Sequence, residues 1–275
     1  MKYALAVCIA LYGAASLFYA LAALWRYGFF EKNAWKVLLA GCALNAAVIG
    51  LRAEETRSLP FVGPFETVAL FAFIVAAVYL ALEKRLATRA LGLFAAPALF
   101  AGMLFGAFHP TTPAPAEPAL QSVMFPAHVA IFFLSYAFFT LSFLAAVAYL
   151  IQERLLKKKP VAKAHNLFPP LESIDLLCYR LVSLGFPLIT LGMVSGMIWA
   201  HSAWGILWDW RDPKLNFSLA TWLIYAIYLH LRFVGGWQGR RTNVFLILGF
   251  LFLIFTFYGV NFLPGGRHAL GVGPR

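Results

Sequence analysis

Eight long apolar runs dominate the chain, at 3–25, 35–51, 66–82, 90–108, 126–151, 176–200, 217–234 and 243–263. About 20 mostly apolar residues cross the hydrocarbon of a bilayer as one helix, which meets its own backbone hydrogen bonds without water. Composition agrees: 62% of the 275 residues are hydrophobic and only 12% are charged, against about a quarter charged in soluble domains. The runs predict an all-α polytopic membrane protein of about eight transmembrane helices, with 1–275 as a single integral membrane domain.

Charge placement orients the spans. Of 22 Lys and Arg, three fall in 26–36, three in 83–90, six in 152–180 and three in 232–242. The positive-inside rule makes these alternate connections cytoplasmic and puts both termini on the outer, periplasmic or lumenal side. The net charge of +11 is thereby used by the membrane, and no basic repeat or soluble aromatic-interleaved domain remains for nucleic acid. Gln152–Asp175, with its LysLysLys run and Pro160, Pro169 and Pro170, reads as a basic cytoplasmic loop. Met1–Trp25 has no charged leader beyond Lys2 and is expected to stay as the first span. Cys8, Cys42 and Cys178 fall in predicted spans without CxxC spacing, and CxxCH is absent, so the chain is not itself a c-type cytochrome. No internal repeat or inverted duplication supports the common secondary-transporter plan.

Histidines in or beside a bilayer cost free energy and mark function. On this topology His109, His128, His201 and His268 face outward, His165 lies in the basic loop and His230 lies inside the seventh span. Thirteen residues separate Phe217 from His230, so the imidazole sits about 20 Å along the helix, in the cytoplasmic half of a core about 30 Å thick. The ordinary alternative is a hydrogen bond to Tyr225, Tyr228 or another helix.

Between the sixth and seventh runs the sequence reads HSAWGILWDWRDPK, His201 to Lys214. An interfacial aromatic belt explains tryptophans there. It does not explain Asp209, Arg211, Asp212 and Lys214 among them. His128 and His268 reach the same predicted surface from segments distant in sequence. Imidazole is a common axial ligand of haem iron, and a porphyrin needs flat apolar walls and cations near its propionates. Trp199, Trp204, Trp208, Trp210 and Trp222 are candidate walls; Arg211, Lys214 and Arg267 are candidate cations.

WGILWDWRDPK, with TWLIYAIYLHLR after it, resembles the tryptophan-rich WWD signature of haem-handling membrane proteins, most closely the CcsA/ResC branch of system II cytochrome c biogenesis. PFET at 64–67, PALQSVMFPAHVAIFFLSYA at 118–137, YLIQER at 149–154 and LESIDLLCYRLVSLGFPLITLGMVSGMIWA at 171–200 carry the likeness over about three quarters of the chain. The resemblance implies eight spans, a CcsB/ResB-type membrane partner, outward transport of haem b, and presentation of it to CxxCH apocytochrome c in a bacterial plasma membrane or, less in keeping, a thylakoid. By position it implies His128 and His268 as outer iron ligands beside a platform at 199–216, comprising Trp199, Trp204, Trp208, Trp210, Arg211, Asp212 and Lys214. It implies His230 as an inner iron ligand whose opposite ligand comes from the partner. A non-catalytic haem-binding relative of the same superfamily is the alternative. The family's usual Trp-x-Trp-Asp-Pro-Lys-acid is altered here: Arg211 is an extra residue, and Leu215 and Asn216 replace the acid and its polar neighbour. One added residue rotates the rest of a short helix by about 100°.

Overall fold

Long apolar stretches without strand punctuation form helices, since in lipid each backbone N–H must find its carbonyl within the segment. The computed structural model describes residues 2–25, 28–56, 63–86, 89–108, 122, 124–158 and 169–258, and among these there are eight helices and no strand. They are α1 Lys2–Trp25, α2 Gly28–Thr56, α3 Pro64–Leu86, α4 Arg89–Phe108, α5 Met124–Lys158, α6 Leu171–Trp204, α7 Pro213–Phe233 and α8 Arg240–Tyr258. Seven are long and apolar enough to cross a membrane. The seventh helix forms where expected, but Asn216, Tyr225, Tyr228, His230 and Arg232 within its 21 residues leave it too polar to join them on composition.

The helices also reach beyond the hydropathy runs. Gln152–Lys158, rich in good helix formers, continues α5, and α6 begins at Leu171, so both ends of the 152–175 segment are helical. Pro97 and Pro187 lie inside α4 and α6, as membrane helices tolerate when neighbours meet the freed carbonyls. Pro64 and Pro213 open α3 and α7, where a missing N–H costs nothing.

The chain divides into two compact units, Met1–Gln121 with Arg154–Pro170, and Ser122–Glu153 with Leu171–Arg275. In the first, α1 packs on α2 and α4, and α3 on α2 and α4. Several of its buried polar groups are paired across helices: Tyr19 donates to Glu83 at 2.5 Å, Arg52 to Glu66 at 2.7 Å, and Asn45 to Tyr12 and to the carbonyl of Ala69. Cys8 and Cys42 are buried thiols here, as Cys178 is in the second unit.

The second unit is built on an antiparallel seam between α5 and α6. Ser142 Oγ donates to Cys178 O at 3.1 Å and Ser135 Oγ to Gly185 O at 2.8 Å, and His128 lies beside Gly192. Small residues let the backbones approach. A Cβ on Gly185 would meet Phe139 at 2.8 Å, and one on Gly192 would meet Phe132 at 2.8 Å. α7 and α8 complete the unit through Phe139 stacked on Tyr225, Phe143 on Phe250, and Thr221 bonded to Thr256 at 2.9 Å. One end of this unit therefore gathers the start of α5, the end of α6, the start of α7 and the end of α8.

Candidate functional site

At that end His128 stands in the second turn of α5, with Nδ1 3.0 Å from the carbonyl oxygen of Gly192 and 3.4 Å from Ser195 Oγ. A carbonyl can only accept, so Nδ1 carries the hydrogen; in the neutral ring the lone pair is then on Nε2, the form of imidazole that binds a metal. The main chain of α6 thus serves as the orienting partner that ligating histidines usually have. Gly196 makes room: a Cβ there would overlap His128 Cε1.

Aromatic rings continue from the imidazole. Trp199, 2% exposed, stacks against His128 at 6.2 Å and 23° between planes. Phe125 meets Trp199 at 5.0 Å, and Trp204 meets it edge-on at 4.8 Å. Trp199 is therefore a wall behind the histidine, buried and fixed.

The chain then leaves α6 through Gly205, whose φ of 71° lets the backbone reverse while its N–H bonds to His201 O at 2.8 Å. The next turn is organised by its two aspartates. Asp209 accepts the N–H groups of Arg211, on its side chain, and Asp212, on its carbonyl. Buried Asp212 caps α7, its Oδ1 accepting the N–H of Lys214 at 2.8 Å. Asn216 Nδ2 donates to Trp210 O at 2.7 Å, closing the turn back on itself. Trp208 and Trp210 pair at 5.7 Å, with Trp210 71% exposed. Arg211 is exposed and Lys214 half-buried.

The structure brings together His128, Trp199 and Trp204 as one group, and Trp208, Trp210, Arg211, Asp212 and Lys214 as another in the adjoining turn. Trp222 lies two and a half turns along α7, donating its N–H to Thr190 Oγ1 at 2.9 Å and facing Phe186 at 5.3 Å, so it joins α7 to α6. His268 and Arg267 lie outside the described residues, as does His109. His230 is exposed in the last turn of α7, and among the described residues its ring makes no hydrogen bond. Among the described residues the ordinary alternative, a hydrogen bond to Tyr225 or Tyr228 on the same helix or to another helix, is not formed.

The residues suit a planar anionic macrocycle in one further respect. Trp208 Nε1–H is buried without a hydrogen-bond partner among the described residues. A buried donor of that kind is costly unless something accepts from it, and a propionate would. Sequence reasoning did not single out Gly192, Ser195 or Gly196, although their G-x-x-S-G spacing on an apolar span is the mark of a close helix contact. It also left out the ion pair of Asp175 and Arg232, since partners 57 residues apart carry no local signal.

These elements define a polytopic helical membrane protein with an imidazole held by a backbone carbonyl and set against tryptophans at one end of a helix bundle. The chain belongs to the family described as Cytochrome C assembly protein, which matches residues 62–268. It is 32% identical over 255 residues to the Cytochrome c biogenesis protein CcsA of Mesostigma viride, covering 83% of this chain and 82% of that one. It is 31% identical over 274 residues to CcsA of Microcystis aeruginosa, covering 82% and 83%. With CcsA of Chlamydomonas reinhardtii identity reaches 40% over 157 residues, but the match spans 57% of this chain and only 43% of that protein. Among solved structures, Cytochrome c Heme Lyase CcmF matches with a TM-score of 0.64 at 17% identity, over 94% of this chain and 45% of that one, a likeness of fold. Family membership supports a role in cytochrome c biogenesis.

Proposed function

We propose that this chain is the haem export and presentation subunit of a system II cytochrome c synthetase, binding haem b at its outer face for attachment to CxxCH apocytochrome c. The observation that carries the reading is the contact of His128 Nδ1 with the carbonyl of Gly192, which in the neutral ring leaves the lone pair on Nε2, with the ring stacked on Trp199. His268 would supply the second imidazole. It comes ten positions after Tyr258, the last described residue of α8, and α8 ends on the His128 side, with Phe257 against Phe133 and Tyr136. Ten residues span at most about 35 Å. Trp204, Trp208 and Trp210 would line the ring, and Trp208 Nε1–H, Arg211 and Lys214 would meet its propionates, with Asp212 fixing the turn that carries them.

The chain's own part in the reaction is positioning. Two imidazoles set the plane of the porphyrin, the indoles set its edge, and its vinyl groups face the side where the apoprotein docks. Each thioether forms by a C–S bond between a cysteine sulfur and a vinyl carbon, the thiol proton passing to the other vinyl carbon, and one imidazole yields to the histidine of CxxCH. His230, exposed on α7, would hold haem nearer the inner side with a ligand from a CcsB/ResB-type partner. In this reading both termini face outward, residues 1–275 form one membrane domain, 199–216 is the outer platform, 152–175 lies on the cytoplasmic side, and the host is a bacterial plasma membrane.

The test is a reduced absorbance spectrum of the chain co-purified with its partner. A haem signal is expected, and the His128→Ala, His268→Ala double variant should lose the outer component. An unchanged spectrum in that variant would defeat the ligand assignment. The altered motif at Arg211, Leu215 and Asn216 favours one rival, a haem-binding protein without a part in ligation. Deleting the gene separates the two, because only the first reading expects loss of covalent cytochrome c with free haem intact.

A further inference from the structure

α7 and α8 run antiparallel, with Thr221 against Thr256 and Ile224 beside Gly249. α5 and α6 cover one flank of this hairpin through Phe139 on Tyr225, Phe143 on Phe250 and Thr190 on Trp222. On α7, Leu223, Ile227 and His230 are exposed at spacings of four and three; on α8, Arg241, Val244, Leu248 and Leu251 are exposed at three, four and three. At about 100° per residue both stripes turn away from α5 and α6 to the same side of the hairpin. Carrying the register forward puts His230 level with the second turn of α8, so Arg241 lies roughly 6 Å further toward the end of the hairpin.

Three properties of this face identify its occupant. It carries an imidazole that would be costly against lipid alone. A guanidinium stands about one turn beyond it: Arg241 makes no ion pair among the described residues, and neither α7 nor α8 contains an acidic residue. Apolar Ile227, Val244 and Leu248 flank the pair. A metal ligand, an apolar surface and a cation in that order match a flat macrocycle with a central iron and an anionic edge, whereas a lipid headgroup would use the cation only.

We propose that Arg241 is a positioning residue for the inner haem, pairing with a propionate while His230 faces the iron. The inference rests on the reading of His230 as an inner haem ligand. Arg241 then fixes which edge of the porphyrin points to the hairpin end.

The test uses the complex of this chain with its partner, in a His128→Ala background that silences the outer site, stripped of haem and titrated with haemin and with haemin dimethyl ester. Arg241 should make haemin bind about tenfold tighter than the uncharged ester, the worth of one charge-assisted hydrogen bond. Arg241→Ala should equalise the two, and Arg241→Lys should keep most of the preference. A parent complex that binds both alike, or an Arg241→Ala variant that keeps the tenfold preference, overturns the proposal without variant folding entering the comparison. If Arg241→Ala instead loses co-purified anionic phospholipid while that preference stands, the arginine serves a headgroup. Binding of both compounds that survives His230→Ala overturns the inner-ligand reading on which the inference rests.

Discussion

Asp175 Oδ2 and Arg232 Nη1 meet at 2.6 Å, with their side chains 8% and 9% exposed. Asp175 Oδ1 also accepts from the N–H of Gly239 and from Asn243 Nδ2, and Arg232 Nη1 reaches Trp237 O at 3.0 Å. One carboxylate thereby ties the start of α6 to the end of α7 and the start of α8.

Removing one partner of a buried pair strands the other charge, at a cost of about 3–5 kcal/mol, while replacing both with apolar residues is often neutral. Arg232→Ala is therefore expected to lower the temperature at which the purified protein loses its monodisperse peak in detergent, and Asp175→Leu with Arg232→Met to recover much of the loss. A single Arg232→Ala variant as heat-resistant as the parent would show that the pair does not hold these helices.

Gly196→Ala places a methyl group against His128 Cε1, inside any real contact distance. The ring must swing away from Gly192 O, and the reduced haem spectrum of the complex is expected to lose its outer component, as is expected for removal of the His128 imidazole. Gly102→Ala, on a helix with nothing within 4 Å of the added carbon, should leave the spectrum unchanged and gain up to about 1 kcal/mol of helix stability. Equal spectra for the two glycine variants would contradict the geometry.

Asp212 caps α7 through Lys214 N. Asp212→Ala should cost about 1 kcal/mol, and Asp212→Ser should restore most of it because serine caps as well. If haem retention tracks that pattern, the carboxylate acts by holding the turn. If Ser and Ala variants lose haem alike, its charge is needed, and the capping account of its role fails.

The membrane class and the number of helices were legible because apolar length is a local property, read from 3–25 or 90–108 without knowing the fold. The same logic misjudged ends: Gln152–Lys158 is polar enough to read as loop yet helical by propensity, and α7 keeps its helix while carrying more polar groups than a typical span. At the site, residue types pointed to His128 and the tryptophans, but not to their division of labour. That Trp199 is a buried wall, Trp210 a surface ring and Trp222 a tie to Thr190 is decided by helix packing, which no spacing within one segment encodes. Gly196 was invisible for a related reason, since its part is the space it leaves for a ring on another helix.

The imidazole of His128 leans on an atom that every amino acid possesses. A peptide oxygen at position 192 survives any substitution there, does not ionise, and moves only if α6 itself unwinds. The orientation of the ring therefore does not depend on the identity of the side chain at position 192. What the neighbouring sequence must withhold is bulk, so the vulnerability of this corner lies in the smallest residues around it.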